Sequence, residues 1–282
     1  RGSLDLSGVK VLLNGAEPIR QSSEQMFIDA YAPAGLPPQA VTHAMGMSES
    51  TAKIITEPIE RYPAKFLHID QGAYEDNRIV LVRADAPNAI HVASNGSTVL
   101  DTEVVIANPD SGDVLGEDQV GEMWVGGTTV AQGYWNNEAG TEAIFRARTT
   151  DGRGPYLRTG DLAFIHDGEV YLTGRLKDVI IIRGQNHHPQ DIEWTIAPAH
   201  EALRPNCAAA FSVTVDEHER LVLVTEVYRH KIVDPEEVFG PVRQAIAEHG
   251  LQAYAVVLIT PRNLPKTSSG KIQRSLTKKR FL

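Results

Sequence analysis

Val9-Lys10-Val11-Leu12-Leu13-Asn14-Gly15 is the stretch on which the reading of this chain turns. The run Val9 to Leu13 is strand-length and mostly apolar, so it predicts a buried strand, and the turn dipeptide Asn14-Gly15 ends it. A polar helix follows over roughly Ile19 to Ala32. A loop of Pro and Gly, Pro33 to Pro38, leads through a short segment into Met45-Gly46-Met47-Ser48-Glu49-Ser50-Thr51. Strand, helix, strand predicts the tail of an α/β sheet, a fold whose ligands lie beyond the carboxyl ends of the strands.

From about Ile79 to Val130 short β-rich runs alternate with turns: Ile79-Val80-Leu81-Val82, Glu103-Val104-Val105-Ile106-Ala107 and Gly121-Glu122-Met123-Trp124-Val125. The turn Asn108-Pro109-Asp110-Ser111-Gly112 separates the last two. This pattern predicts a small antiparallel β-barrel. A hairpin is expected from Asp161 to Ile165 and Glu169 to Leu172, turning at Asp167-Gly168. After Gly174 the layout changes. Val179 to Ile182 is a short β run, and a helix is expected from Pro189 to about Ala197, where Pro198 stops it. Strands are expected at Ala208 to Val213, Leu221 to Val227 and Tyr254 to Ile259. Between the last two lies a helix with Asp234 as N-cap, Pro235 at its first position, Gly250 past its end, and Val238, Val242, Ala245 and Ile246 on one face. The fold class expected is α/β and α+β. Residues 1–176 should form a sheet remnant plus a β-barrel, and residues 177–282 a small α+β domain.

Composition narrows the function classes. At 42% hydrophobic and 22% charged, the chain reads as an ordinary globular protein. No apolar run approaches the ~20 residues a membrane span needs, and the start, Arg1-Gly2-Ser3-Leu4-Asp5, lacks the apolar stretch of a signal peptide. A net charge of −9 argues against broad nucleic-acid binding. The single cysteine, Cys207, excludes a disulfide within the chain and a Cys-based zinc cluster, and fits a reducing, cytoplasmic setting. The end is basic: Arg262, Lys266, Lys271, Arg274, Lys278, Lys279 and Arg280, with no acid after Glu248.

Five segments in order carry a resemblance. They are Met45-Gly46-Met47-Ser48-Glu49-Ser50-Thr51; Gly121 to Val125 with Val130-Ala131-Gln132-Gly133-Tyr134-Trp135; Tyr156-Leu157-Arg158-Thr159-Gly160-Asp161-Leu162; Gly174-Arg175-Leu176-Lys177-Asp178 through Gly184; and Pro265-Lys266-Thr267-Ser268-Ser269-Gly270-Lys271-Ile272. Together they resemble the adenylate-forming superfamily of acyl-CoA synthetases, luciferases and peptide-synthetase adenylation domains. Further details are similar to the fatty acyl-AMP ligases: the loop Asn14-Gly15-Ala16-Glu17-Pro18, the run Arg183 to Glu193, and the stretch 66–91, which resembles the extra segment that separates these ligases from acyl-CoA synthetases.

The resemblance implies ATP and Mg²⁺ as cofactors, a fatty or other carboxylic acid as substrate, and an acyl carrier protein thiol as acceptor. Acyl adenylation brings a carboxylate against the α-phosphate of ATP, two anions, so the site must supply positive charge and alignment. Lys271 matches the catalytic lysine, expected on a flexible chain after Ser268-Ser269-Gly270. The string is not a P-loop, since Pro265 stands where the first Gly belongs and Ile272 follows the lysine. Glu49 matches the Mg²⁺ ligand, because magnesium takes one or two carboxylates plus phosphate oxygens. Ser48 with Gly46 and Met47 would meet the α-phosphate. Gly15, Ala16, Glu17 and Pro18 match the adenine loop, and Met45 stands where the family has a stacking ring. Asp161 matches the ribose ligand, since a carboxylate accepts two hydrogen bonds from a cis-diol, and Arg175 adds donors. Lys177 falls at the hinge between the large and small domains.

The phosphate-wrapping loop and much of the acyl pocket are expected upstream of Arg1. The chain therefore reads as the C-terminal portion of a longer enzyme, inactive alone. An acyl-CoA ligase and a non-catalytic acyl- or AMP-binding homologue are the alternatives; intact Lys271, Glu49, Asp161 and Arg175 weigh against the latter. His187-His188 does not read as a metal site, and Trp124, Trp135 and Trp194 read as core.

Overall fold

The first strand, β1, covers Leu12–Gly15 in the computed structural model, which describes residues 4–58, 64–231 and 234–282. It starts later than expected because Val9 is in a turn, its N–H donating to the Leu6 carbonyl. It is also not buried: Leu13 is 55% exposed. Among the described residues β1 is an edge strand, so its outward side chains meet solvent. Helix α1, Gln21–Tyr31, leads to β2, Val41–Met45, which pairs parallel with β1 and sets Gly15 opposite Ala44. Strand β3, Ile55–Thr56, adds antiparallel to β2.

The segment 66–91 is ordered. Strand β4, Phe66–Asp70, a short helix α2, Gln71–Glu75, and β5, Ala89–Ala93, form an antiparallel ribbon. Buried Tyr74 donates its hydroxyl to the Thr173 carbonyl at 3.3 Å, and the Ile79 amide donates to the Asp118 carbonyl at 2.9 Å. Ile69, Tyr74 and Ile79 are buried as their apolar character predicts, whereas Val80 and Leu81 are exposed. Strand β6, Ser97–Thr98, then completes the first sheet beside β3.

Four antiparallel strands follow as a meander: β7, Glu103–Ala107; β8, Gly121–Gly126; β9, Leu157–His166; and β10, Glu169–Arg175, with helix α3, Glu138–Phe145, before β9. The sheet is open, not the closed barrel expected. Its edge strand β10 bridges at Tyr171 to Ser94 instead of returning to β7. The β9–β10 turn falls where the sequence places it, with Asp167 and Gly168 at φ +51° and +72°, the left-handed pair a two-residue hairpin requires.

The chain divides at 176/177 into two compact units. The second holds the pair β11, Ile180–Ile182, and β12, Gln185–His187; helix α4, Pro189–Ile196; and a sheet of β13, Leu203–Val215, β14, His218–Val227, and, after helix α5, Glu236–Ala247, strand β15, Ala253–Ile259. Helix α6, Arg274–Phe281, follows. Helix α5 starts one residue later than expected, with the Asp234 carboxylate accepting from the Glu236 amide at 3.0 Å. Both faces of the sheet are covered, and strand alternation sorts the residues. Ala208, Ala210, Leu221 and Leu223 join Ile192 and Ile196 of α4 and Val238, Val242 and Ile246 of α5. Cys207, Ala209, Phe211, Val222 and Val224 face the other way, toward Leu264 and Phe281. No helix among the described residues is long and apolar enough to cross a membrane.

Candidate active site

The parallel pair β1–β2 brings two loops side by side at its carboxyl end. Gly15 ends β1 so close to its neighbour that a Cβ there would lie 2.1 Å from the Ala44 oxygen. Ala16, at φ +70°, turns the chain into exposed Glu17 and Pro18. After β2, a Cβ on Gly46 would lie 1.4 Å from the Ala52 oxygen, so only glycine lets the loop fold back. The amides of Ser50 and Ala52 both donate to the Met47 carbonyl, at 3.1 and 3.0 Å. Met45, 7% exposed, packs in the core with Ile54, Ile55, Ile106 and Met123. Its side chain is thus committed to the sheet interior, while Met47 is half-buried and Gly46 and Ser48 are exposed.

Glu49 does not stand alone. Tyr134 donates its hydroxyl to Glu49 Oε1 at 2.9 Å, and the Ala131 amide donates to the Glu49 carbonyl at 2.8 Å. Burial, then the Glu49 carboxylate, pushes the Tyr134 phenol up, so it stays a donor. Thr51 also donates to the Thr129 carbonyl at 2.7 Å, which fastens the 127–134 loop to the 48–51 turn. The Gly133-Tyr134-Trp135 string marked this loop, but nothing in the sequence paired it with Glu49. The adjacent Trp135 is 91% exposed and so is not core, in contrast to Trp124.

Asp161 and Arg175 are register partners on β9 and β10, and Arg175 Nε donates to Asp161 Oδ1 at 2.9 Å. The turn before Asp161 is built from beneath. Buried Glu122 accepts from the Gly160 amide at 3.1 Å, from Trp124 Nε1 at 2.8 Å and from Arg158 Nη2 at 2.6 Å. Thr159 donates to the Met123 carbonyl at 2.7 Å and accepts from the Asp161 amide at 3.1 Å. Asp161 is itself nearly buried, and Arg175 is exposed.

A buried polar chain, missed in the sequence, underlies the first loop. Asn14 Nδ2 donates to Glu24 Oε2 at 2.8 Å, and the same oxygen is 2.7 Å from His43 Nε2. His43 Nδ1 lies 2.8 Å from the Ser94 carbonyl and 3.3 Å from Glu57 Oε2. Burial works to lower the His43 pKa, but the bond to Glu24 and the charges of Glu57 and Glu24 outweigh it and hold it above the ordinary value. Burial likewise works to raise Glu24, and His43 and Asn14 outweigh it downward. The members of this polar network lie far apart in the chain, and no local pattern in the sequence joins them.

In the second unit, Lys177 is exposed and Lys271 half-buried. The Lys271 loop is not a flexible chain. The Thr267 amide donates to the Lys271 carbonyl at 2.8 Å, the Lys271 amide to Thr267 Oγ1 at 3.0 Å, and the Gly270 amide to the Thr267 carbonyl at 2.9 Å. The sequence Ser268-Ser269-Gly270 suggested mobility, but Thr267 closes the turn. Burial pushes His188 down to about 4, so it is neutral. Among the described residues no group of three His, Cys, Asp or Glu could hold a metal ion.

Residues 2–135 match the AMP-binding enzyme family, and residues 177–282 match the AMP domain of the Disco-interacting protein 2-like family. The chain is 44% identical to the medium-chain-fatty-acid–[acyl-carrier-protein] ligase JamA of Moorena producens, over 100% of the chain and 48% of that protein. It is 35% identical to the long-chain-fatty-acid–AMP ligase FadD32 of Mycolicibacterium smegmatis, over 99% of the chain and 49% of that protein. A solved structure from work on fatty acyl-adenylate ligases of E. coli and L. pneumophila superposes with a TM-score of 0.86 at 29% identity, covering 99% of the chain and 48% of its own. The chain thus spans about half the length of these relatives. On these matches the chain belongs to the adenylate-forming, AMP-binding superfamily. Within that superfamily it is fatty acyl-AMP ligase-like.

Proposed function

We propose that the protein containing this chain joins a fatty or other carboxylic acid to AMP, using ATP, and passes the acyl group to the phosphopantetheine thiol of an acyl carrier protein. The observation that carries this reading is the juxtaposition at the carboxyl end of β1–β2. Gly15-Ala16-Glu17-Pro18 and Met45-Gly46-Met47-Ser48-Glu49 leave neighbouring strands there: Gly15 passes close against Ala44 of the adjacent strand, and Gly46 lets the second loop fold back onto its own Ala52, each an approach that a Cβ would block. The first loop would hold adenine, Ser48 and its neighbours the α-phosphate, and Asp161 with Arg175 the ribose. Glu49, steadied by Tyr134, would hold Mg²⁺, which when bound neutralises phosphate charge. Lys271 would offer its ammonium to the carboxylate and the α-phosphate as the two anions meet and pyrophosphate departs.

Residues 1–176 are on this reading the end of the large adenylation domain, and residues 177–282 its small domain, with Lys177 as the hinge. The segment 66–91 favours a carrier protein over coenzyme A. Its anchors at Tyr74 and Ile79 fasten it to the first unit, as an added segment that acts by excluded volume would require. An acyl-CoA ligase sharing the first step is the second reading, and buried Cys207 with no disulfide suits a cytoplasmic enzyme. The test offers the intact protein ATP and a fatty acid, with coenzyme A and carrier protein supplied separately. Efficient acyl-CoA formation would overturn the carrier assignment and leave adenylation standing.

A further inference from the structure

Arg274 occupies an unusual place. It is the first residue of α6, where the helix dipole disfavours a cation. Its guanidinium turns inward instead. Nε donates to Glu193 Oε1 at 2.7 Å and Nη2 to Glu193 Oε2 at 2.6 Å, a fork-on-fork pair. Glu193, buried on α4, also accepts from the Ala210 amide of β13 at 2.9 Å. The third guanidinium nitrogen, Nη1, reaches Asp178 Oδ2 at 3.4 Å.

Those partners join two places the sequence separates widely. Asp178 directly follows Lys177, the proposed hinge. Arg274 ends the stem of the Lys271 loop: the Gln273 amide donates to the Pro265 carbonyl at 2.9 Å, and Lys266 bridges Ile272. With the turn at Thr267–Lys271 closed internally, the loop's freedom lies in its stem, and Arg274 fastens that stem to α4, to β13 and to the residue after the hinge.

We propose that Arg274 is a positioning residue for Lys271: through Glu193 and Asp178 it makes the Lys271 loop and the first residues beyond Lys177 one rigid piece. The inference rests on the adenylation role of Lys271. Placement of that ammonium then depends on the hinge and not on loop motion, and a cation displaced by an ångström loses about a hundredfold in rate.

The test uses Arg274→Met, Arg274→Lys, Lys271→Ala and the double variant Lys271→Ala/Arg274→Met in the intact protein, read by fatty-acid-dependent ATP–pyrophosphate exchange. Arg274→Met should lower kcat about a hundredfold with the ATP KM little changed, and Arg274→Lys should restore part of it. In the Lys271→Ala background Arg274→Met should cost nothing further. Hydrogen exchange on this chain should show the Thr267 and Lys271 amides losing protection in Arg274→Met while β14 keeps its own. If Arg274→Met does not fold, Asp178→Asn, which spares the Glu193 pair, takes its place with a smaller loss and the same non-additivity. Additive losses, or unchanged exchange at Thr267 and Lys271, overturn the proposal alone. Full activity of Lys271→Ala overturns the functional reading as well.

Discussion

The phenol of Tyr134 holds Glu49 Oε1 at 2.9 Å, so the carboxylate we propose as the magnesium ligand is oriented by a residue 85 positions away. Tyr134→Phe should keep the fold, because the ring still meets Phe145 edge-on at 5.0 Å between centroids. The lost bond is worth about 0.5–1.5 kcal/mol. The magnesium concentration for half-maximal adenylation should therefore rise by roughly two- to twelvefold. A titration of activity against Mg²⁺ at saturating ATP checks this; an unchanged midpoint would detach Glu49 from the metal.

Gly46→Ala should be among the most damaging small substitutions in the first unit. The added carbon would sit 1.4 Å from backbone oxygen of Ala52, which cannot swing away. The cost should be at or above the upper end of the about 1–3 kcal/mol typical of overpacking. Gly168→Ala, at φ +72° but with open space around it, should cost only about 1–2 kcal/mol. Urea unfolding of both variants orders them.

Asp161→Asn separates ligand binding from stability. Its pair with half-exposed Arg175 is worth about 0–1 kcal/mol, so the melting temperature should barely move. Losing a charged acceptor to the ribose diol, at about 1.5–3 kcal/mol, should raise the ATP KM by roughly ten- to a hundredfold. Equal ATP KM values in variant and parent would remove Asp161 from the nucleotide site.

His43 gives the first unit a pH signature. Its pKa is raised above the ordinary 6.5, so its contribution is full below that value and fades as pH rises through the folded pKa. Glu24 is lowered below 4.5, so its contribution is full above that value and fades as pH falls through the folded pKa. Stability should therefore be greatest between these limits. His43→Gln should lower it there and flatten the alkaline decline, leaving Glu24 and Glu57 facing each other without a cation. Urea midpoints from pH 4 to 9 test this, and an unchanged alkaline limb in the variant would place the titration elsewhere.

Much of this architecture was legible because it is written locally. Asp167-Gly168 announced its hairpin, Pro189 its helix start, and the largely apolar run Ala208 to Val213 its strand. What stayed hidden depends on partners far apart in the chain. No local pattern says that Tyr134 meets Glu49, that Arg274 meets Glu193, or that His43 lies between Glu24 and Glu57. Local composition also misled. Val9 to Leu13 looks like a buried strand, yet the strand starts at Leu12 and lies at an edge. Ser268-Ser269-Gly270 looks mobile, yet Thr267 closes it. A run of β segments looked like a barrel, yet β10 bridges to Ser94 and the sheet stays open.

The most direct test of the adenylation reading is a pair of half-reactions on the intact protein and its Lys271→Ala variant. Fatty-acid-dependent ATP–pyrophosphate exchange reports acyl-AMP formation; supplied acyl-AMP with carrier protein reports transfer. The account predicts that the parent catalyses exchange and that Lys271→Ala loses it by about a hundredfold or more, while transfer from supplied acyl-AMP persists. Absence of exchange in the parent with every fatty acid offered, or equal loss of both half-reactions in the variant, would contradict it.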